Sequence, residues 1–258
     1  MKLGIFGGTF SPPHRTHIEM AMRAVTQLGL DKLFVLPNGV PPHKPCKENS
    51  ADRLAMTKLA FGGLPKTEID TFELGGGASY TVSTLEHFKK LFPGGELFLV
   101  IGGDSLRDFS AWNRPDKIAK LARLAVCRRA GADYERDKLN AELNYGASVV
   151  EVAIEQSEIS STRLRVDYQF GRDCSDRVPE EVNAYIMEKG LYDEFRPAIE
   201  KVKTYLSPKR FEHTYHVVCA GMELPTKADR DKIFLACLLH DVAKEIPTEK
   251  YGRYGFVP

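Results

Sequence analysis

The chain has 258 residues, of which 43% are hydrophobic and 28% charged, and its formal net charge is +1 at pH 7. This length gives one large domain or two with a substantial core, and the composition excludes a disordered chain. A nearly neutral chain has no general attraction to nucleic acid or to an anionic membrane, so any cationic site must be local.

The cysteines and the hydrophobic runs predict the compartment. Five cysteines are scattered along the chain without a CxxC pair, which is typical of reduced thiols rather than of a disulfide framework. The apolar run Leu3–Phe6 is too short for a signal peptide, and no run approaches the roughly 18 apolar residues of a membrane span. We therefore expect a cytoplasmic protein without membrane or nucleic-acid partners, whose oligomeric state the sequence leaves open.

The first three quarters of the chain alternate short apolar runs with helical patterns. Strands are predicted at Leu3–Phe6, Lys32–Leu36, Thr67–Leu74, Glu96–Ile101, Leu124–Cys127 and Ser148–Ile154. Helices are predicted at Ile18–Leu28, Ala51–Phe61, Thr81–Phe92, Pro115–Leu121, after Ser160-Ser161-Thr162, and at Pro179–Lys189. This alternation predicts an α/β fold with a parallel sheet, and ligands of such sheets bind beyond the carboxyl ends of the strands.

The pattern changes after Tyr192. Three helices are predicted, at Arg196–Leu206, Arg210–Leu224 and Lys227–Lys244, with no strand among them. We place a domain boundary near Phe195, which gives domains at 1–195 and 196–258. Three apolar-faced helices without further packing partners expose a hydrophobic patch, so we expect this segment to be poorly ordered or aggregation-prone.

The stretch Leu3–Ile18, with the sequence LGIFGGTFSPPHRTHI, predicts an anion site. A strand, a Gly-Gly turn and a helix N-terminus direct free backbone N–H groups and the positive end of the helix dipole at a ligand. Two imidazoles three residues apart, His14 and His17, add donors there. Such a pair by itself is more often a surface feature, but its placement favours a phosphate pocket. Hydroxyl side chains at a second helix start, within Ile159–Arg165 (ISSTRLR), repeat the arrangement.

Together these motifs resemble the HxGH nucleotidyltransferase superfamily and, within it, the nicotinate-nucleotide adenylyltransferases. The first motif is GGTFSPPH..H and the second is ISSTxxR. Supporting segments are LPNGVPPHK at 36–44, SYTVSTL at 79–85, IGGDSLRDFSAWNRPDKI at 101–118, AVCRRAG at 125–131 and YIMEKGLY at 185–192. The resemblance spans residues 1–192 and implies a Rossmann-like, doubly wound sheet. It also implies adenylyl transfer from ATP to nicotinate mononucleotide, with Mg²⁺ bridging the phosphates.

The resemblance also implies a role for each matching residue. The catalytic group comprises His14, His17 and Arg165. The contacts to ATP comprise Gly8, Thr9, Phe10, Asp104, Ser161 and Thr162. The mononucleotide pocket comprises Asn38, Lys44, Tyr80, Thr81, Trp112 and Arg128. Trp112 is the one tryptophan of the chain, and its flat ring suits stacking on a pyridine, although packing in a core is the alternative.

Two positions depart from the family pattern. Thr16 stands between the histidines where the family has glycine, and Ser11 stands where aspartate is frequent. A β-branched residue is unfavourable at position 16 if the backbone there needs a positive φ, and harmless if the residue is helical. We expect the site to be active and Ser11 to be tolerated.

The C-terminal segment resembles an HD-domain phosphohydrolase of the kind that splits diadenosine tetraphosphate. The matching stretches are FEHTYHVV at 211–218 and LLHDVAK at 238–244. The resemblance implies that His213, His240 and Asp241 bind a divalent metal, whereas a structural His-Asp pair is the alternative. Neither aspartate nor histidine follows Asp241, although that family needs later ligands. We therefore expect a partial, truncated HD domain that is not hydrolytic as it stands.

Three alternative functions remain open from the sequence. The acceptor could be phosphopantetheine or nicotinamide mononucleotide instead of the nicotinate compound. A completed HD domain could hydrolyse dinucleoside polyphosphates. A site altered at Thr16 could bind nucleotide as a sensor without turnover.

Overall fold

A computed structural model describes residues 1–39, 48–75, 80–128, 134–155 and 159–245. These residues form two compact units. The first unit contains Met1–Ile159 and Arg177–Tyr185. The second contains Ser160–Asp176 and the described residues from Ile186 onward.

A six-stranded parallel sheet forms the centre of the first unit. Its strands are β1 (Lys2–Gly8), β2 (Lys32–Pro37), β3 (Thr67–Ile69), β4 (Glu96–Gly102), β5 (Arg123–Arg128) and β6 (Val149–Ala153). The spatial order is β3-β2-β1-β4-β5-β6, and every pairing is parallel. The order reverses at β1, which is the switch point at which doubly wound sheets bind ligands.

Helices cover both faces of this sheet. They are α1 (Arg15–Leu28), α2 (Ser50–Phe61), α3 (Thr81–Leu91), α4 (Gly103–Arg107), α5 (Pro115–Leu121) and α6 (Tyr134–Tyr145). Side chains alternate along each strand, so Leu3 and Ile5 of β1 join the core shared with α3 to α6. Phe6 points the other way and packs edge-on against Phe61 of α2. The predicted doubly wound α/β fold is confirmed.

Several predicted elements differ from those observed. The strand predicted at 67–74 ends at Ile69, and a short 3₁₀ helix occupies Phe72–Leu74. The predicted pattern did not include α4 or α6. In α6 the leucines that should mark a buried stripe are exposed, Leu139 by 53% and Leu143 by 74%, so apolar periodicity gives no signal there.

The second unit is helical. It contains α7 (Ser161–Gln169), α9 (Arg196–Lys203), α10 (Pro208–Glu223) and α11 (Arg230–Leu239), while α8 (Glu180–Lys189) precedes α9 in the chain. Helices α9 to α11 share one apolar core with Val166 of α7. The expectation that these helices lack packing partners is therefore wrong, because α7 supplies one. The functional division into domains at 1–195 and 196–258 stays a prediction.

Candidate functional site

Gly8, the last residue of β1, lies directly against the ring of Phe10 in the turn that follows the strand. A Cβ on Gly8 would lie 2.7 Å from the Phe10 ring, so the close approach of that ring requires glycine. Phe10 has a φ of 49°, and its buried ring packs against Phe6, Phe61 and His17. The buried ring of Phe10 therefore fixes the turn to the core of the first unit. The turn contains Thr9, the neighbouring residue assigned to ATP.

His14 and His17, the two candidate catalytic histidines, lie next to each other at the start of α1. Their rings stack with centroids 3.7 Å apart; His14 is the N-cap residue and is buried, and His17 is half-buried. The backbone N–H of His14 donates to Nδ1 of His17 at 3.2 Å. Since Nδ1 accepts this hydrogen bond, the ring proton of His17 lies on Nε2. His17 can thus donate from Nε2 at a helix N-terminus, where anions bind.

The two departures from the family pattern are accommodated. Thr16 lies in the first turn of α1 and is buried, and a helical backbone accepts any L-residue there. Ser11 is buried and donates from Oγ to Oε2 of Glu48 at 2.5 Å. Neither position needs a left-handed residue, so the condition under which Thr16 is harmless is met.

The loops after β1 and β2 are joined by a buried arginine that the sequence patterns did not indicate. Arg53 of α2 is only 2% exposed. Its guanidinium donates to the carbonyl oxygens of Thr9 (3.2 Å), Asn38 (2.6 Å) and Gly39 (2.9 Å). The Asn38 N–H also donates to the Gly8 carbonyl at 2.9 Å. Within a helical pattern a single arginine normally indicates an exposed face, so no local signal pointed to this role.

Further predicted residues lie at the carboxyl end of the sheet. Asp104 is exposed at the start of α4, directly after β4, and forms an ion pair with Arg107 at 2.8 Å. Arg128 ends β5 and lies 3.5 Å from Glu151 and over the ring of Tyr134. Because parallel strands end at one edge, these residues share that edge with the β1 turn.

The other residues assigned to the mononucleotide differ in their surroundings. Trp112 is partly buried, packs on the core of the first unit and lies 5.7 Å from the Phe109 ring. Tyr80 is exposed at the N-cap of α3, and Thr81 begins that helix. The Oδ1 atom of Asn38 is buried without a hydrogen-bond partner among the described residues. Lys44 lies outside the described residues, so its assignment stays a prediction.

The ISSTRLR motif forms the N-terminus of α7 in the second unit. Ser160 is the N-cap residue, and its Oγ accepts from the Arg163 N–H at 3.2 Å. Ser161, Thr162 and Arg165 lie half-buried in the first turns, and Arg165 donates to Thr162 Oγ1 at 3.3 Å. The predicted helix start with hydroxyl side chains is therefore present.

The structure brings His213, His240 and Asp241 together, with candidate ligand atoms all within 4.8 Å of one another. Asp241 is already paired, because its carboxylate also lies 2.9 Å from Arg210 and 2.7 Å from Lys244. The pKa of Asp241 is lowered, mainly by the hydrogen bond from Lys244 and in addition by the hydrogen bond from Arg210. The three side chains fit a partial metal site, but a bound cation would compete with one ammonium and one guanidinium group for the carboxylate.

The parallel sheet, the glycine turn and the histidine pair define a nucleotidyltransferase. The family model described as cytidylyltransferase-like matches residues 5–166. The chain is 39% identical over 194 residues to a protein named probable nicotinate-nucleotide adenylyltransferase from Geobacillus thermodenitrificans, covering 74% of this chain and 86% of that relative. It is 33% identical over 195 residues to nicotinate-nucleotide adenylyltransferase from Bacillus subtilis, covering 74% of this chain and 98% of that relative. The chain belongs to the nicotinate-nucleotide adenylyltransferase family.

Solved structures agree on the fold. Nicotinic acid mononucleotide adenylyltransferase from Plasmodium falciparum, complexed with NaAD, superposes with a TM-score of 0.64 at 20% identity, covering 74% of this chain and 97% of that chain. The same enzyme complexed with APC gives a TM-score of 0.61. Among the described residues, no helix combines the length and apolar character needed to span a membrane.

Proposed function

We propose that this protein transfers the adenylyl group of ATP to nicotinate mononucleotide, giving nicotinate adenine dinucleotide and pyrophosphate. The observation that carries this proposal is the pair of stacked histidines at the N-terminus of α1, which follows the Gly-Gly end of β1 at the switch point of the sheet. This arrangement suits phosphates because backbone N–H groups, the helix dipole and an imidazole N–H all favour negative charge. Family membership at up to 39% identity supports the same reaction.

In the proposed reaction a phosphate oxygen of the mononucleotide attacks the α-phosphorus of ATP in line. A bond forms between these atoms, the bond from the α-phosphorus to the bridging oxygen breaks, and pyrophosphate leaves with the electron pair. No protein group is covalently modified, so catalysis consists of positioning and charge stabilisation. His17 would donate from Nε2 to a phosphate oxygen, while the backbone N–H of His14 would hold Nδ1 of His17 in place. Arg165 would neutralise negative charge on the ATP side.

Magnesium would arrive with ATP as part of the substrate. Mg²⁺ commonly keeps water and phosphate ligands and needs few protein carboxylates, so the scarcity of acidic groups among the proposed ATP contacts is no obstacle. When bound, it neutralises charge on the phosphates. The residues that would contact the nucleotide alongside it are Gly8, Thr9, Phe10, Asp104, Ser161 and Thr162.

The acceptor pocket is proposed at the ends of β2, β4 and β5. The Oδ1 atom of Asn38, which is buried and has no partner among the described residues, would accept a hydrogen bond from the ligand, and Trp112 would stack on the pyridine ring. Tyr80, Thr81 and Arg128 would complete the pocket. An arginine at this edge favours an acceptor with a carboxylate, which distinguishes the nicotinate from the nicotinamide compound.

Pyrophosphate release from ATP tests this proposal with three acceptors in parallel: nicotinate mononucleotide, nicotinamide mononucleotide and phosphopantetheine. We expect the highest kcat/KM with the nicotinate compound. His17→Ala should lower kcat about 100-fold or more, the loss typical of removing one positioned donor to developing charge. His216→Ala, which removes an exposed histidine of α10, is the matched control and should leave turnover unchanged.

Two results contradict the proposal. Wild-type protein that binds ATP but releases no pyrophosphate with any acceptor would be a nucleotide sensor. Preference for phosphopantetheine or nicotinamide mononucleotide would move the assignment to another acceptor.

A second candidate function rests on the cluster of His213, His240 and Asp241. We propose that it is a partial divalent-metal site, which in a completed HD domain would serve dinucleoside polyphosphate hydrolysis. Calorimetric titration with Mn²⁺ should show one weak site that His240→Ala removes. Equal Mn²⁺ binding by wild type and His240→Ala would leave the cluster as an ion-pair network.

A further inference from the structure

A group of four polar side chains joins α7 to α10, and we name it the α7–α10 cluster: Arg163, Asp167, Arg172 and Tyr215. Arg163 and Asp167 lie on α7, Arg172 follows that helix, and Tyr215 lies on α10. Asp167 is 1% exposed and Tyr215 is 3% exposed. A carboxylate buried to this extent is costly unless its oxygens are paired, so these contacts constrain both helices.

Tyr215 is at the centre of the cluster. Its hydroxyl donates to Oδ1 of Asp167 and accepts from Nε of Arg163 at 3.1 Å, while Arg163 Nε lies 3.7 Å from the same carboxylate oxygen. The guanidinium groups of Arg172 and Arg163 lie over the Tyr215 ring, 3.5 and 4.9 Å from its centroid. One hydroxyl therefore connects an anion and a cation of α7, and the ring adds cation–π contacts.

These contacts act on the first turns of α7. Arg163 directly follows Thr162, and its backbone N–H is the group that the Ser160 side chain caps. The ring of Phe170, the C-cap residue of α7, lies 5.2 Å from the Tyr215 ring, and Val166 shares the apolar core with α10. Both ends of α7 are thus held against α10. Arg163 of the ISSTRLR motif thus contacts a residue 52 positions further along the chain.

We propose that Tyr215 is a positioning residue for adenylyl transfer, because it holds the N-terminal turn of α7 in the orientation that binds ATP. The proposal rests on the proposed function, in which Ser161, Thr162 and Arg165 contact ATP. The C-terminal helices then contribute to adenylyl transfer, and this contribution requires no hydrolytic activity of their own. Preorganising the turn removes an ordering cost that ATP binding would otherwise meet.

The test is a steady-state comparison of wild type with Tyr215→Phe, which deletes only the hydroxyl. Losing this hydrogen-bonded contact should raise the KM for ATP by roughly three- to tenfold, the range for one hydrogen bond. The KM for nicotinate mononucleotide should stay within about twofold, since the acceptor side is unchanged, whereas kcat should fall together with ATP binding because Arg165 lies on the same helix. Hydrogen exchange should quicken at the α7 amides. Tyr145→Phe, which removes a hydroxyl at the end of α6 in the first unit, is the matched control and should match wild type.

A second variant keeps the test decisive if Tyr215→Phe folds poorly. Arg163→Lys retains the charge but loses the planar Nε donor, and its side chain is 33% exposed, so folding should tolerate it. It should raise the KM for ATP in the same way, and combining it with Tyr215→Phe should add little, because both act through one contact.

Three outcomes decide between the two proposals. An unchanged KM for ATP in folded Tyr215→Phe and in Arg163→Lys overturns the positioning role. Equal rises in the KM of both substrates also overturn it, since the proposed contact acts on the ATP side alone. An inactive wild type overturns the proposed function instead, and the exchange rates of the α7 amides then still decide whether Tyr215 holds this helix.

Discussion

Replacing Arg53 with methionine should destabilise the first unit and loosen both substrate loops. The guanidinium donates to three carbonyl oxygens, those of Thr9, Asn38 and Gly39, at 2.6 to 3.2 Å. Methionine fills a similar volume but has no donor. The loops after β1 and β2 then lose their common anchor.

The expected magnitude follows from these three contacts. Hydrogen bonds from a charged group contribute about 1.5–3 kcal/mol each, so three of them give an upper value of about 5–9 kcal/mol. Carbonyl oxygens in loops can regain water, and removing a buried cation relieves its own desolvation cost. We therefore expect Arg53→Met to lower the free energy of unfolding by roughly 3–5 kcal/mol.

Urea unfolding monitored by Trp112 fluorescence measures this change, because Trp112 packs on the core of the first unit. Arg53→Lys should be intermediate, since an ammonium group cannot reach three diverging carbonyls with the geometry of a guanidinium. Arg23→Met is the surface control, because the Arg23 side chain is 46% exposed and its ion pair with Glu155 lies at the surface, where such pairs contribute about 0–1 kcal/mol. A loss below 1 kcal/mol for Arg53→Met, equal to the control, would refute the reasoning.

The other predictions concern the histidine turn and the second unit. Thr16→Gly should destabilise the protein by roughly 1 kcal/mol, a few tenths of it from helix propensity and the rest from loss of the buried side chain, and should not raise kcat. A tenfold gain in pyrophosphate release would show that threonine obstructs the phosphates. Phe10→Ala should lower the free energy of unfolding by about 3–5 kcal/mol, because the ring is buried among aromatic neighbours, and urea midpoints check this. Burial raises the pKa of the Cys219 thiol to about 11 from a value of 9.0. The fold thus favours the neutral thiol, so the second unit should be most stable below about pH 8.5 and lose stability as the pH rises towards 11. Circular dichroism of urea unfolding at pH 8 and 10.5 should show a smaller alkaline loss for Cys219→Ala, and an identical loss would contradict the assignment.

The sequence by itself determined the class of fold and the location of the phosphate turn. Alternating apolar runs and helical patterns identify a parallel sheet because each strand is buried on both faces. The glycines, prolines and histidines between Gly7 and His17 identify a helix N-terminus because each has a local conformational or hydrogen-bonding reason to be there. Both signals depend on neighbouring residues, so no knowledge of distant contacts is needed.

Tertiary structure alone decided how distant residues support these motifs. Arg53 has the sequence context of a surface residue, and only the approach of the loops after β1 and β2 shows why it is buried. The leucines of helix α6 do not mark its buried side, since Leu139 and Leu143 face solvent. The contact between α7 and α10 could likewise not be predicted from the sequence pattern, because Tyr215 is separated from Asp167 by 48 residues. The burial of a side chain and its hydrogen-bond partners depend on the whole fold. The pattern of neighbouring residues in the chain does not determine which distant groups come into contact.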